Sequence, residues 1–226
     1  MNRWLRVLNH GLLGALASAA VLAYAASVTP ALQAELNTAV QAHAAGRLAQ
    51  ARRAFDSLAR RGVPAAQHNL AVMHLRGEVP RPDLAQARLW LERAAEAGFV
   101  TAQFALGQAL ENGELGPRDL MAAHDWYERA ARAGSAEAQV AMGTAYFLGR
   151  GRKRDALQAA GWYREAARRG EVGAMYLLAS MYEKGDGVEL DLREARYWYD
   201  LAARGGDEAA PAKLLEIEAR MDQRPS

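Results

Sequence analysis

One period governs this chain. Tryptophans stand at 90, 126, 162 and 198, 36 residues apart each time. The same context returns around each: Leu89-Trp90-Leu91, Asp125-Trp126-Tyr127, Gly161-Trp162-Tyr163 and Tyr197-Trp198-Tyr199. Paired alanines follow, beginning with Ala94-Ala95 and ending with Ala202-Ala203, and glycines 98, 134, 170 and 206 close the units. A fixed period in this range marks a solenoid built from one repeated supersecondary unit. Such a chain grows by stacking, so its 226 residues limit the number of units rather than the number of cores.

Each unit reads as two helices. The spacing predicts a first helix near 64–76, 100–112, 136–148 and 172–184, and a second near 84–97, 120–133, 156–169 and 192–205. Within the first helix, Ala66, Ala102, Ala138 and Ala174 share a register. Leu70, Leu106, Met142 and Leu178 share the next, followed by small residues at 71, 107, 143 and 179 and by His74, Leu110, Tyr146 and Tyr182. Spacings of four, one and three put this set on one helical stripe. Gly77, Gly113, Gly149 and Gly185 stand where helices favour a terminating glycine. Asp83, Asp119, Asp155 and Asp191 stand where an N-cap belongs, and Gln86, Gln158 or Glu194 three residues on predicts a capping box. The four tryptophans, at strict register beside alanines, are expected as inter-repeat core.

The flanks differ. Residues 28–62 read as a degenerate first unit, with Ala54 in the tryptophan register and Phe55 beside it. Residues 63–206 hold four full units. Residues 207–226 read as a capping helix whose later positions turn charged, followed by a tail. At the other end, Met1 to Arg6 is positive, Gly11 to Ala26 is apolar, and Ala23-Tyr24-Ala25 or Ala25-Ala26-Ser27 offers a cleavage signal. Residues 1–27 thus have the plan of a secretory signal peptide. The rival is an uncleaved anchor helix. Either way Arg3 and Arg6 stay in the cytoplasm and the repeats lie outside it, in the periplasm of a bacterium.

Composition excludes more than it assigns. The net charge of +2 comes entirely from Arg3 and Arg6, and the remainder carries equal numbers of acidic and basic side chains. The basic footprint of a nucleic-acid binder is missing. No cysteine is present, which removes disulfides, a thiol nucleophile and a lipoprotein anchor.

The assembled positions resemble the Sel-1-like repeat family, a relative of the tetratricopeptide repeat. Ala138, Met142-Gly143, Tyr146, Gly149, Asp155, Trp162-Tyr163, Ala166-Ala167 and Gly170 carry that family's pattern. The first unit departs from it, and Glu78-Val79-Pro80-Arg81-Pro82 replaces the usual glycine-containing loop. The resemblance implies an all-α fold, a right-handed α-solenoid of antiparallel helix pairs, used as an adaptor or assembly scaffold. Disulfides staple some secreted relatives, but this chain has no cysteine to form them.

A search for chemistry finds no HExxH, S-x-x-K, G-x-S-x-G or phosphate loop. His43, His68, His74 and His124 lack metal-ligand spacing, so no metal and no cofactor is expected. Gly149-Arg150-Gly151-Arg152-Lys153-Arg154 is the one dense basic cluster; it is either an anion-binding loop at Arg150, Arg152, Lys153 and Arg154 or a solvated turn. Binding by shape remains. If tetratricopeptide geometry carries over, the concave face is lined by first-helix residues outside the packing stripe. One register reads His68, Phe104, Val140, Tyr176; a second reads Val72, Gln108, Thr144, Ser180; a third reads Leu75, Glu111, Phe147, Glu183. These vary from unit to unit, as a surface fitted to one irregular partner would. The expectation is therefore a non-enzymatic envelope scaffold that binds a protein or peptide. The alternatives are an envelope hydrolase acting on peptidoglycan or a β-lactam, an activity known in the family's secreted branch, and a membrane-anchored assembly factor.

Overall fold

A computed structural model describes residues 29–222, so the leader lies outside the described residues. Among them, eleven helices follow one another with no strand: α1 (Pro30–Ala44), α2 (Leu48–Arg60), α3 (Pro64–Leu75), α4 (Leu84–Glu96), α5 (Val100–Asn112), α6 (Leu120–Arg132), α7 (Ala136–Leu148), α8 (Ala156–Arg168), α9 (Val172–Lys184), α10 (Leu192–Arg204) and α11 (Ala210–Asp222). Each helix packs mainly on its neighbours in sequence, and α3 also touches α5. The architecture is an α-solenoid, and its second helices end one residue earlier than their pattern predicts.

The local signals explain where helices start and stop. All four aspartates act as caps: Asp83, Asp119, Asp155 and Asp191 each accept from backbone N–H groups in the first turn of the helix that follows. The reciprocal arm of a capping box does not form. The backbone N–H of Asp119, Asp155 and Asp191 donates instead to the carbonyls of Leu110, Tyr146 and Tyr182 on the preceding helix, at 2.9–3.0 Å. Glu194, free of that task, accepts from the indole N–H of Trp198. In the odd loop of the first full unit, Asp83 N–H donates to the ring nitrogen Nδ1 of His74 at 3.2 Å, a side chain standing in for the carbonyl. Burial pushes the His74 pKa down, which keeps the ring a neutral acceptor.

All four tryptophans join the core, but to different depths. Trp90 and Trp198 are buried at 7% exposure, but Trp126 and Trp162 are only half-buried. The deepest position is the next residue: Leu91, Tyr127, Tyr163 and Tyr199, each at 2% or less. One residue is about 100° of helical rotation, so only one of two adjacent aromatics can point straight at the first helix. Tyr127 and Tyr163 win because Gly107 and Gly143 let their rings in; a Cβ at 143 would stand 2.7 Å from the Tyr163 ring. Arg93 and Arg129 stack on the rings of Trp90 and Trp126, at 5.1 and 4.4 Å from the centroids.

A buried latch ties each of the first three full units to the unit before it. Gln67, Gln103 and Gln139 each donate through the amide nitrogen to the carbonyl eight residues earlier, on Ala59, Ala95 and Ala131, at 3.1 Å. Those carbonyls lie in helix last turns and also accept from the backbone N–H of Gly62, Gly98 and Gly134 at 3.0 Å, so each holds two donors. The fourth unit has Met175 at that register and no such bond. The buried side chains form two groups, Leu36 to Met142 and Ala159 to Ile217, bridged across α7 and α8 by Tyr146, Trp162 and Val140.

Candidate functional site

The face expected to bind a partner is largely engaged in holding the solenoid together. Three of its polar side chains meet the buried tyrosine hydroxyls. Tyr127 donates to Glu111 at 2.7 Å, Tyr199 donates to Glu183 at 2.8 Å, and the Tyr163 and Thr144 hydroxyls lie 3.1 Å apart. A tyrosine oxygen buried at the end of its ring needs such a partner. Burial, reinforced by the neighbouring carboxylates, pushes the pKa of Tyr127 and Tyr199 far up, so both remain donors. Glu183 is the most committed: its side chain is 10% exposed and also accepts from Arg220 of α11 at 2.9 Å. All three residues thus serve as internal supports, and Glu111 and Thr144 also line a cavity. The first full unit has Leu91 in place of tyrosine and Leu75 in place of the acid, a pairing already present in the sequence.

The aromatic register is half-buried rather than free. Phe104 tilts against Tyr127 with centroids 5.5 Å apart, and Tyr176 stands edge-on to Tyr199 at 5.2 Å. His68 stands edge-on to Phe99 at 5.7 Å, and burial, aided by the Arg76 charge, lowers its pKa to about 4. Val140 packs beside the second core cluster. Gln108 is exposed. Phe147 lies under the Arg154 guanidinium, 5.7 Å from the ring centroid.

The basic loop is not a single open cradle. Arg152 pairs with Asp125 of α6 at 2.6 Å, and Arg154 reaches Asp186 of the next loop at 3.3 Å and donates to the Phe147 carbonyl. Two of the four cations thus bind one unit to its neighbours on either side. Lys153 is exposed, and Arg150 turns toward a cavity. Gly149 ends α7 in the left-handed region at φ 69°, which is what permits the turn.

That cavity, about 130 Å³ between the second and third full units, brings three expected residues together: Glu111, Thr144 and Arg150. It adds two that sequence reasoning passed over, His124 and Tyr127. His124 is 3% exposed, its Nδ1 has no partner, and burial with the nearby Arg152 charge lowers its pKa. Its register reads Arg88, His124, Ala160, Arg196, and that irregularity is the signal that could have flagged it. Among the described residues, Thr144 bonds Tyr163 and not His124, so no nucleophile and base are paired there. No group of three or more metal-ligating side chains occurs among the described residues. No described helix is long and apolar enough to cross a membrane.

Stacked helix pairs of this kind define an α-solenoid repeat protein, a fold type that serves as a protein-interaction scaffold. The chain belongs to the Sel1 repeat family, whose model matches residues 64–99, 100–135, 136–171 and 172–207. It is similar to the crystal structure of a Sel1 repeat protein from Oxalobacter formigenes, with 34% identity and TM-score 0.70 over 74% of this chain and 49% of that one. It is also similar to a protective antigen of uropathogenic Escherichia coli that displays the same repeat fold, with 32% identity and TM-score 0.77 over 82% of this chain and 41% of that one. The chain thus spans half or less of the length of these two relatives. A Sel1 repeat protein from Klebsiella pneumoniae, 24% identical with TM-score 0.51 over 83% of this chain and 93% of that one, shares the fold alone. No curated protein matches the chain. Family members are generally non-catalytic interaction scaffolds.

Proposed function

We propose that this protein is a non-enzymatic scaffold of the bacterial cell envelope that binds a protein or peptide along the first-helix face, across α5, α7 and α9. One observation carries the reading. Phe104 and Tyr176 occupy the same register two units apart, each half-buried and braced from behind by a buried tyrosine ring. A rigid aromatic that still shows part of its ring is the type of residue that anchors a partner. Exposed Gln108 supplies a polar contact between them, and Val140 bridges the gap in register. The balanced charge of residues 28–226 favours a polypeptide over a nucleic acid as partner.

The envelope setting rests on residues 1–27, with the repeats in the periplasm. Membrane contact is made only through that segment, if it stays uncleaved. Crosslinked capture from intact envelopes tests both points. A bait beginning near Ala26 or Val28 marks a cleaved leader, and an intact Met1 end marks an anchor. A partner captured by the natural chain and lost from a Phe104→Gln, Tyr176→Gln double variant of unchanged helicity supports the face. Equal capture by the variant refutes it.

A further inference from the structure

The two ends of the solenoid differ in shape and in charge. At the first end, α1 and α2 enclose an open groove of about 400 Å³, lined by Ala34, Glu35, Thr38, Ala54, Ser57 and Leu58. It is open because Ala54 stands where the four later units carry tryptophan. At the last end, α11 exposes Ala212, Leu215, Ala219 and Asp222, spaced to share one helical stripe. Leu215, the apolar centre of that stripe, is 69% exposed. The groove is small-sided and the stripe has one large knob, as ridge-into-groove packing requires.

Charge supports the match. Over residues 29–62, Arg47, Arg52, Arg53, Arg60 and Arg61 outweigh Glu35 and Asp56, leaving +3. Over residues 207–222, Asp207, Glu208, Glu216, Glu218 and Asp222 outweigh Lys213 and Arg220, leaving −3. The chain between is close to neutral, so the molecule is electrically polar along its axis. Like ends repel and unlike ends attract.

We propose that copies of this protein associate head to tail, the Ala212–Leu215–Ala219 stripe of α11 in one copy lying in the α1–α2 groove of the next. The interface is heterologous and leaves a free groove at one end and a free stripe at the other, so it propagates into short stacks rather than closing as a two-fold dimer. It strengthens at low salt, because both flanks carry exposed charge.

The absence of cysteine makes the test clean. Full-length Ser57→Cys protein and full-length Ala212→Cys protein are prepared separately, mixed, and treated with a short bismaleimide crosslinker. A covalent dimer that forms in the mixture, and not in either variant alone, supports the proposal. It should fall to the level of an Ala212-to-Glu165 control (Glu165→Cys, on the exposed surface of α8) when Leu215→Glu is added to the Ala212→Cys chain, and it should decline as salt is raised. A Ser57 dimer or an Ala212 dimer from one variant alone overturns it in favour of a symmetric contact. No product above the control overturns it too, and is the result if residues 1–28 of the same chain fill the groove. A fold disrupted by Leu215→Glu would show as lost helicity; Ala54→Trp, which fills the groove, then gives the same readout from the other side.

Discussion

Replacing Tyr163 with alanine should destabilise the solenoid more than replacing the neighbouring Trp162, although tryptophan is the larger residue and marks the repeat. Tyr163 is 2% exposed and lies over Gly143, whereas Trp162 is half-buried. An aromatic of this size buries on the order of 150–250 Å², which at about 25 cal/mol per Å² is worth roughly 4–6 kcal/mol. Truncations of buried aromatics cost about 3–5 kcal/mol, and Tyr163→Ala belongs in that range because Gly143 leaves no side chain to fill the void. Half the burial puts Trp162→Ala at roughly 2 kcal/mol. Urea unfolding followed by far-UV circular dichroism gives both values from midpoint and slope. Trp162→Ala costing as much as Tyr163→Ala would refute the assignment of the tyrosine as the central residue of the last three full units. Tyr163→Phe separates the ring from its hydroxyl and should cost only about 1 kcal/mol, the worth of the bond to Thr144.

Glu183→Gln should loosen α11 by weakening its tie to Arg220, seen as faster amide exchange over residues 210–222 with little change before residue 170; uniform protection would contradict the tie. His68 should titrate near pH 4 by NMR rather than near 6.5. Its folded pKa lies below its unfolded one, so its contribution to stability is complete above about pH 6.5 and is lost as pH falls toward 4, and His68→Gln should flatten that stretch of the pH–stability curve. A His68 pKa near 6.5 would show the ring to be solvated. Gln139→Met, which copies the residue at 175, should cost no more than about 1 kcal/mol, because the Ala131 carbonyl keeps the Gly134 N–H as a donor and the Gln139 amide oxygen has no partner to lose; a loss well above that on thermal unfolding would contradict this. Asp155→Ala should cost about 1 kcal/mol through its cap, and Asp155→Ser should recover most of it.

Much of the fold was legible because its signals are local. Glycine after a first helix and aspartate before a second recur at fixed register, and each acts within its own turn. What failed needed knowledge across helices. Trp162 and Tyr163 are both aromatic and both periodic, so period alone could not say which points inward. The variation at Glu111, Thr144 and Glu183 suggested a surface fitted to a partner, but these side chains share one internal task, a hydrogen bond with a buried tyrosine hydroxyl. The Gln67, Gln103, Gln139 series repeats at 36 residues and could have been read as structural from that alone. The candidate cavity was illegible because its histidine, acid and arginine come from two helices and a loop.

The way the core continues through the third full unit bears on how the molecule meets a partner. Tyr146 touches both groups of buried side chains, Trp162 of α8 packs on the first and Val140 of α7 on the second, so they meet across the α7–α8 pair. The solenoid has no break at which bending would concentrate, and strain entering at one end is passed from pair to pair. A partner gripping both Phe104 and Tyr176 would therefore meet a pitch set by the stack and would have to match it, as a key matches a lock of fixed spacing.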